Sequence, residues 1–332
     1  MQHIAVIGAG SWGTALALTW AKAGQSVTLW ARDPALAKAM QGEKRNPKYL
    51  SQHSFPPSLK ATAEAKDLHE ADVVVLTIPT QHLRSHLPAL LSSLKPQTPL
   101  VIAAKGIEQD THLLLPELAQ SLAPGHPIGM LSGPNFAAEI ANGLPAATTL
   151  ALADQALGEK LLPLLATPQL RPYLAHDVTG VALGGALKNV IAIASGIVLG
   201  QELGDNARAA LISRGLEEIS RLGMAMGAQA RTFMGLSGLG DLLLTCGSLQ
   251  SRNLRFGQAL GQGYSVQEAE AQIEGVIEGK TTAKAVLELA KKKNIAMPIA
   301  EAVYAVVYKK ETAKAAVQSL LGRPLKREAA DF

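Results

Sequence analysis

Several residue types are rare in this chain, and each rarity excludes certain structural features or classes of protein. Its 332 residues include one cysteine, Cys246, which excludes an internal disulfide and fits a reducing compartment. Cys246 follows three leucines and a threonine, an apolar setting that predicts a small buried residue rather than a nucleophile. Aromatic residues make up only 4% of the chain, so its 48% of hydrophobic residues must build the interior mainly from alanine, leucine, valine and isoleucine.

Dense clusters of basic residues are also missing. The formal net charge is only +4, and the basic run 291–293 is typical of a solvated helix end whose charges complement the helix dipole. This charge suits an anionic small molecule rather than a nucleic-acid groove, so we expect no nucleic-acid partner. No motif predicts a metal site. Since the N-terminal residues do not form a signal peptide, we expect a cytoplasmic protein.

One apolar stretch, residues 180–200, is long enough to be taken for a membrane span. It carries Lys188 and Asn189 near its middle, and a lysine at the centre of a bilayer costs about 2.5–3.5 kcal/mol. We therefore expect a buried helix and no membrane span.

Three glycines near the N-terminus carry the strongest signal in the chain. Gly8, Gly10 and Gly13 follow the apolar run 4–7 and lead directly into an alanine-rich segment. In a dinucleotide-binding unit the first glycine forms the tight turn, the second admits the pyrophosphate and the third lets helix and strand pack closely. The N-terminus of the helix attracts the pyrophosphate through its free N–H groups and its dipole. The sequence therefore predicts a dinucleotide site here.

The first half of the chain alternates between apolar runs and helical segments. Strands are predicted at 4–7, 27–30, 71–79, 99–106, 128–134, 146–152 and 169–174. Helices are predicted after the glycines, at 81–94 and at 112–122. This alternation predicts an α/β fold, with an N-terminal Rossmann-type doubly wound sheet as the dinucleotide-binding domain over residues 1–179.

Residues 180–332 show helical patterns only, which predicts an all-α C-terminal substrate domain. Its expected features are a helix at 205–226 that ends at Gly227, a capping box at Ser265, and helices at 282–293, 298–309 and 312–321. The charged residues after 322 are expected to form a loose tail.

Polar residues follow two of the predicted strands. Lys105 comes directly after an apolar strand, and Gly133 and Asn135 lie in a turn after the next one. Ligands of open α/β sheets bind outside the carboxyl ends of the strands. We therefore expect these residues to face the reactive end of the cofactor.

Two adjacent residues leave the choice of cofactor open. Asp33 lies about 20 residues beyond Gly13, where an acid usually binds the ribose of NAD. Its neighbour Arg32 can instead accommodate the 2′-phosphate of NADP. The sequence is therefore compatible with either cofactor.

Lys188 lies in an otherwise apolar predicted helix, and Asp241 in a glycine-rich segment is its natural counter-charge. Burial without a partner would lower the pKa of a lysine, which is how lysines become acid–base catalysts. The alternatives are a lysine that reaches the surface along the helix edge and a carboxylate that caps the next segment.

Ser251, Arg252 and Asn253 precede a predicted helix with apolar periodicity. A serine, an arginine and an asparagine at a helix start are typical of a phosphate site, because an arginine binds phosphate through two hydrogen bonds. An arginine that only meets solvent would have the same local sequence.

Seven motifs occur in order along nearly the whole chain: G-A-G-S-W-G-T-A-L-A, A-A-K-G-I, S-G-P-N-F-A-A-E-I-A, G-G-A-L-K-N-V-I-A-I-A-S-G, N-A-R-A-A-L-I-S-R-G, G-L-S-G-L-G-D-L-L-L-T-C and Q-S-R-N-L-R-F-G. Together they resemble the bacterial NAD(P)-dependent sn-glycerol-3-phosphate dehydrogenases. The resemblance implies reduction of dihydroxyacetone phosphate to sn-glycerol 3-phosphate with NADH or NADPH, for glycerophospholipid synthesis. It leaves a homodimer open.

The resemblance also assigns roles to individual residues. It places the catalytic lysine at Lys188. It implies substrate contacts at Lys105, Gly133, Asn135, Lys188, Asp241, Ser251, Arg252 and Asn253. Beside the three glycines, it implies cofactor contacts at Ser11, Trp12, Arg32, Lys105, Ala137, Arg252, Val276 and Glu278.

The chain departs from the pattern of this family at a few positions. Family members usually carry serine or threonine in place of Asn135, often lysine in place of Ala138, and an Asn-Thr pair in place of Thr281 and Thr282. An asparagine still offers hydrogen bonds, so we expect altered affinity rather than lost activity at Asn135.

Two other functions share parts of this pattern. A β-hydroxyacid or 6-phosphogluconate-type dehydrogenase has a Rossmann domain followed by helices, but it leaves Asp241 and residues 251–253 unexplained as a set. A nucleotide-sensing module without turnover would not need Lys188 or Asp241.

Overall fold

One eight-stranded β-sheet organises the first half of the chain, in a computed structural model that describes residues 2–324. The strands are β1 (His3–Ile7), β2 (Ser26–Trp30), β3 (Leu59–Thr62), β4 (Val73–Leu76), β5 (Leu100–Ile102), β6 (Ile128–Ser132), β7 (Ala146–Leu152) and β8 (Leu170–Ala175). Their spatial order is β3-β2-β1-β4-β5-β6-β7-β8, and every neighbouring pair is parallel except β6 and β7. The first six strands have the order of a dinucleotide-binding sheet, which confirms the predicted Rossmann-type fold.

The helices of this half connect successive strands. They are α1 (Ser11–Lys22), α2 (Pro34–Glu43), α3 (Leu83–Leu91), α4 (Leu115–Leu122), α5 (Ala137–Ala141) and α6 (Gln155–Leu165). The residues of β4 are at most 1% exposed, as expected for a strand covered by helices on both faces. Because β1, β4, β5 and β6 are parallel, their carboxyl ends lie at one edge of the sheet.

Two predicted helices are shorter in the structure than the sequence suggests. The helix predicted at 81–94 is preceded by a separate 3-10 turn, Thr80–His82, and extends only over Leu83–Leu91. The helix predicted at 112–122 begins at Leu115, because His112 has a left-handed backbone with φ of 62° and Leu114 forms a β-bridge with Ile107.

The regular elements of the second half are all helical among its described residues, and they include a π-helical turn at Leu236–Gly240. Its helices are α7 (Val178–Gly200), α8 (Gly204–Ala225), α9 (Ala230–Phe233), α10 (Asp241–Gly247), α11 (Arg252–Gly261), α12 (Val266–Ala271), α13 (Glu278–Lys292), α14 (Pro298–Tyr308) and α15 (Ala313–Leu321). The capping box at Ser265 is present, and Gly227 has a φ of +87° just after α8. The all-α prediction is therefore confirmed as far as residue 324, and the predicted tail lies outside the described residues.

The chain divides into two compact units, each of which consists of two separate segments of the sequence. The first unit contains residues 2–105 and 115–178, and the second contains 106–114 and 179–324. Residues 106–114, which follow β5 in sequence, therefore belong to the helical unit. Their link to α13 includes a contact of 3.2 Å between His112 Nδ1 and Lys292 Nζ.

Helix α7 is long and apolar enough to cross a membrane by length and composition. Among residues 2–324, the segment Ala230–Gly247 and α11 pass the same test together, with a bend of 50° between them. The apolar window of α7 is completely buried. Burial of this kind is typical of a core helix, and it confirms the buried helix that the sequence predicts.

A buried carboxylate in α8 holds the start of α14. Glu218 is 3% exposed, and its carboxylate accepts hydrogen bonds from the backbone N–H groups of Ile299 at 2.8 Å and Ala300 at 3.5 Å. Burial raises the pKa of Glu218 to about 7, although the two N–H groups act in the opposite direction. Glu218 therefore changes its charge near neutral pH.

Replacing Glu218 with glutamine should flatten the dependence of stability on pH. A carboxyl whose pKa is higher in the folded state stabilises the fold fully below pH 4.5, and this contribution is lost as the pH rises through about 7. The free energy of unfolding of the parent falls by about 3 kcal/mol over this range. Glu218→Gln does not show this fall, because glutamine stays neutral. Urea unfolding of the parent and of Glu218→Gln at pH 5 and pH 8 measures the difference. The control is Glu217→Gln, a half-buried neighbour paired with arginines; equal pH dependence in parent and Glu218→Gln would contradict the prediction.

Candidate active site

The glycine turn after β1 has two tightly packed glycines and one open one. Gly8 has a φ of +117°, and a Cβ on it would lie 2.6 Å from Thr77 Oγ1. A Cβ on Gly13 would lie 1.9 Å from the carbonyl oxygen of Gly8. A Cβ on Gly10 would meet nothing within 4 Å. Packing within the chain therefore requires Gly8 and Gly13, whereas Gly10 leaves open space in front of α1.

Buried and half-buried side chains hold this turn in place. The hydroxyl of Thr77 lies 2.9 Å from the carbonyl oxygen of Gly8, to which it donates, and Asn46 Nδ2 donates to the carbonyl oxygen of Ala9 at 2.9 Å. Trp12 Nε1 donates to the carbonyl oxygen of Ala103 at 3.0 Å, which ties the start of α1 to the chain after β5. The sequence analysis missed Thr77 and Asn46, although the position of Thr77 directly after a buried strand was a usable signal.

The N-terminus of α1 is suited to an anion. Its first turn contains no acidic residue, and no side chain caps it at Gly10. Both Gly10 and Ser11 are exposed. The first backbone N–H groups of a helix, together with its dipole, attract a phosphate. The open turn therefore fits the pyrophosphate of a dinucleotide.

The polar residues after β5 and β6 meet at the same edge of the sheet. Lys105 Nζ donates to the carbonyl oxygen of Gly133 at 3.2 Å. Asn135 Nδ2 donates to the carbonyl oxygen of Ala147 at 3.2 Å, whereas its buried Oδ1 has no hydrogen-bond partner among the described residues. Ala137 is the first residue of α5, which packs against α1. The structure thus places these predicted residues at the sheet edge that the glycine turn also occupies.

Arg32 and Asp33 follow β2 and have different roles in the chain. Asp33 caps α2, because its Oδ1 accepts a hydrogen bond from the backbone N–H of Ala35 at 2.9 Å. Arg32 is exposed, and its Nη1 lies 3.0 Å from His86 Nε2 on α3. The carboxylate is therefore engaged by its own helix, and the guanidinium lies at the surface after β2.

The second unit contains a buried ion pair. Lys188 on α7 is 7% exposed and pairs with Asp241, which is fully buried at the start of α10. Lys188 Nζ also donates to Thr245 Oγ1 at 2.8 Å. Removing either partner of such a pair would leave an uncompensated buried charge. The sequence analysis expected Asp241 as the counter-charge but missed Thr245, whose spacing of one helical turn from Asp241 was the available signal.

Cys246 lies next to this pair but is not reactive. It is fully buried, and burial raises the pKa of its thiol to about 12. Its carbonyl oxygen accepts a hydrogen bond from Ser195 Oγ at 3.2 Å. A protonated, buried thiol is a poor nucleophile, which confirms the structural role predicted for Cys246.

Two helix N-termini converge on α7 at Asn189, the residue after Lys188. Asn253 Nδ2 donates to Asn189 Oδ1 at 3.0 Å, and Asn253 Oδ1 accepts from the backbone N–H of Gly279 at 2.9 Å. Asn189 directly follows Lys188 in α7. The amide of Asn253 therefore joins the start of α11 to both α7 and the start of α13, where Glu278 is the first residue.

Ser251 and Arg252 occupy different environments at the start of α11. Ser251 Oγ caps the helix by accepting from the backbone N–H of Leu254 at 3.2 Å. Arg252 is exposed, as is Val276 in the segment before α13. The structure thus brings Ser251, Arg252, Asn253 and Glu278 into one neighbourhood of the helical unit, which is joined to α7 by the hydrogen bond between Asn253 and Asn189.

Glycines set the crossing of α7 and α11. A Cβ on Gly257 would lie 2.0 Å from the carbonyl oxygen of Ile193, and one on Gly196 would lie 2.1 Å from that of Leu254. The next turn repeats the pattern with Gly200 and Gly261. The two backbones therefore touch, and any larger side chain would separate the helix that carries Lys188 from the helix that begins with Arg252. The sequence analysis did not use this pair of G-x-x-x-G spacings.

Comparison with known proteins places the chain in a family. The N-terminal part of the NAD-dependent glycerol-3-phosphate dehydrogenase family matches residues 3–158, and its C-terminal part matches residues 177–318. The chain belongs to the NAD-dependent glycerol-3-phosphate dehydrogenase family. The predicted family is thereby confirmed.

Individual members of the glycerol-3-phosphate dehydrogenase family match over nearly their whole length. A glycerol-3-phosphate dehydrogenase [NAD(P)+] of Rhodospirillum rubrum is 49% identical over 99% of this chain and 94% of its own length. One of Parvibaculum lavamentivorans is 47% identical over 98% of both chains. The crystal structure of glycerol-3-phosphate dehydrogenase from Coxiella burnetii superposes with a TM-score of 0.92 at 39% identity, covering 97% of this chain and 99% of that one.

Proposed function

We propose that this protein reduces dihydroxyacetone phosphate to sn-glycerol 3-phosphate, reversibly, with NADH or NADPH as the hydride donor. The observation that carries the proposal is the buried pair of Lys188, on a helix whose Asn189 binds the helix start that holds Arg252, and Asp241, in a chain of this family. The product is a glycerophospholipid precursor, and we place the enzyme in the cytoplasm. In this proposal the dinucleotide-binding domain spans residues 1–179 and the substrate domain spans residues 180–332, with residues 106–114 packed into the helical unit.

The residues of the first unit hold the cofactor in this proposal. Gly10 and Ser11 leave the N-terminus of α1 free for the pyrophosphate, and Gly8 and Gly13 keep that helix close to the sheet. Lys105, Gly133 and Asn135 lie at the carboxyl ends of the strands, where ligands of such sheets bind.

The residues of the second unit perform the proton chemistry. When bound, the cofactor supplies the hydride that reduces the ketone carbon. Lys188 Nζ donates a proton to the ketone oxygen, or stabilises the alkoxide that develops there. Asp241 and Thr245 fix the position of this amine through hydrogen bonds. Arg252 binds the substrate phosphate, with Ser251 and Asn253 at the same helix start.

A substrate panel tests this proposal. The purified protein should oxidise NADPH or NADH in the presence of dihydroxyacetone phosphate, and much more slowly with unphosphorylated dihydroxyacetone. In the reverse direction, sn-glycerol 3-phosphate should reduce the oxidised cofactor, whereas 6-phosphogluconate and β-hydroxyacids should not. Cofactor binding without turnover of any substrate would indicate a nucleotide-sensing module instead. Sedimentation of the same sample separates a monomer from the homodimer that the sequence leaves open.

Replacing Arg32 with alanine should weaken binding of NADPH more than binding of NADH. The guanidinium is exposed after β2, where the 2′-phosphate of NADP is accommodated in such folds, whereas Asp33 is engaged in capping α2. Loss of one charge-assisted contact typically costs about tenfold in affinity. Titration of the protein fluorescence with each cofactor measures the two dissociation constants. Equal losses for both cofactors would show that the preference is set elsewhere.

A further inference from the structure

The segment between α12 and α13 contacts Arg252 through a glycine. Gly275 has a φ of +96°, and a Cβ on it would lie 2.5 Å from Nη1 of Arg252. Two further atoms of Arg252 lie close to the same Cβ position, Cζ at 3.6 Å and Cδ at 3.9 Å. The guanidinium therefore lies directly against the backbone of Gly275, in a space that only glycine leaves open.

This segment is anchored independently of Arg252. Ile273 and Ile277, on either side of Gly275, are each only 8% exposed. An ion pair between Glu270 and Lys280 joins the two ends of the segment, and the carbonyl oxygen of Lys280 accepts a hydrogen bond from the hydroxyl of Tyr308 at 2.9 Å. Gly275 is thus part of a fixed surface against which the flexible end of Arg252 rests.

We propose that Gly275 is a positioning residue that seats the guanidinium of Arg252 for the phosphate of the substrate. The inference rests on the proposed function, in which Arg252 binds that phosphate. An arginine binds a phosphate best when its planar fork is already oriented, because less side-chain freedom is then lost on binding. The backbone of Gly275 restricts the guanidinium on one side, whereas the start of α11 fixes the other end of the side chain.

A methyl group at position 275 should therefore move Arg252 and leave the fold in place. The atom that it meets is the far end of a long, exposed side chain, which can rotate away, whereas the segment itself is anchored by buried isoleucines. The substitution also imposes the backbone strain of a side chain at positive φ. A control with the same strain is needed to separate the two effects.

Gly263 provides that control. It also has a φ of +96°, just after α11, but a Cβ on it would meet nothing within 4 Å. Gly263→Ala and Gly275→Ala should therefore lower the melting temperature of the protein by similar amounts. Only Gly275→Ala should raise the KM for dihydroxyacetone phosphate, by about tenfold, which corresponds to one charge-assisted hydrogen bond. The kcat at saturation, and kcat/KM for unphosphorylated dihydroxyacetone, should change little more than in Gly263→Ala.

A double variant tests whether the effect passes through Arg252. In an Arg252→Ala background, Gly275→Ala should add no further increase in the KM, because the displaced group is already gone. Additive effects, or a KM in Gly275→Ala equal to that in Gly263→Ala, would overturn the proposal. Failure of the proposed function would be seen separately, as a parent protein that does not turn over dihydroxyacetone phosphate. In that case the two glycine variants are compared by their Ki for inorganic phosphate, measured with any substrate that the parent protein does turn over.

Discussion

Lys188→Ala should lower the turnover of dihydroxyacetone phosphate by about 10²–10⁴-fold, the usual contribution of a general acid or base. Lys188 is buried on α7, and its amine binds Asp241 and Thr245. The substitution removes this amine. The glycine turn that is expected to bind the cofactor lies in the other unit of the chain. NADPH binding, measured by fluorescence titration, should therefore be nearly unchanged.

The stability of this variant must be separated from its chemistry. Removing Lys188 leaves the fully buried Asp241 without its counter-charge, at a cost of about 3–5 kcal/mol. A second variant, Lys188→Ala combined with Asp241→Ala, removes both charges and should recover much of the melting temperature. It should not recover turnover. Near-normal activity of Lys188→Ala at saturating substrate would contradict the assignment of Lys188.

Arg252→Ala should lower kcat/KM for dihydroxyacetone phosphate by about 100-fold or more. An arginine binds a phosphate through two charge-assisted hydrogen bonds, each contributing about 1.5–3 kcal/mol. Arg252→Lys should fall between this variant and the parent, because the charge remains but the fork geometry is lost. Steady-state kinetics with dihydroxyacetone phosphate and with unphosphorylated dihydroxyacetone measure the difference, since only the first substrate has a phosphate.

Loss of folding is not expected in the Arg252 variants. Arg252 is exposed, and the cap of α11 comes from Ser251, which is unchanged. Arg231→Ala, at an exposed arginine of α9, serves as a control for loss of one positive charge. If both substrates lost activity by the same factor, the phosphate would have to be sought elsewhere, with Lys105 as the first candidate.

Features that depend on short-range patterns were predictable from the sequence. The turn of Gly8, Gly10 and Gly13 is recognisable from local spacing, because the three glycines lie within six residues between one strand and the first turn of the helix that follows it. The capping box at Ser265 likewise needs only residues within one turn. Buried parallel strands such as β4 are continuous apolar runs, so they stand out from their surroundings.

Elements that lack such a pattern were missed. Strand β3 is a four-residue edge strand of sequence L-K-A-T, whose assignment depends on its pairing with β2. Helix α13 begins at Glu278 rather than at the predicted 282, because Asn253 from another helix satisfies the N–H of Gly279. No local propensity predicts a cap that is supplied from a distant part of the chain.

The sequence by itself determined the family and the dinucleotide turn, since both rest on residue types at short spacings, and the family resemblance singled out Lys188. Only the tertiary structure showed that Thr245 joins Asp241 in holding Lys188, and that Arg252 lies against Gly275. Thr245 reaches Lys188 because α7 and α10 pack together, and Gly275 meets Arg252 because the segment before α13 folds onto the start of α11. Contacts between residues far apart in the chain depend on the packing of whole helices, which no local pattern encodes.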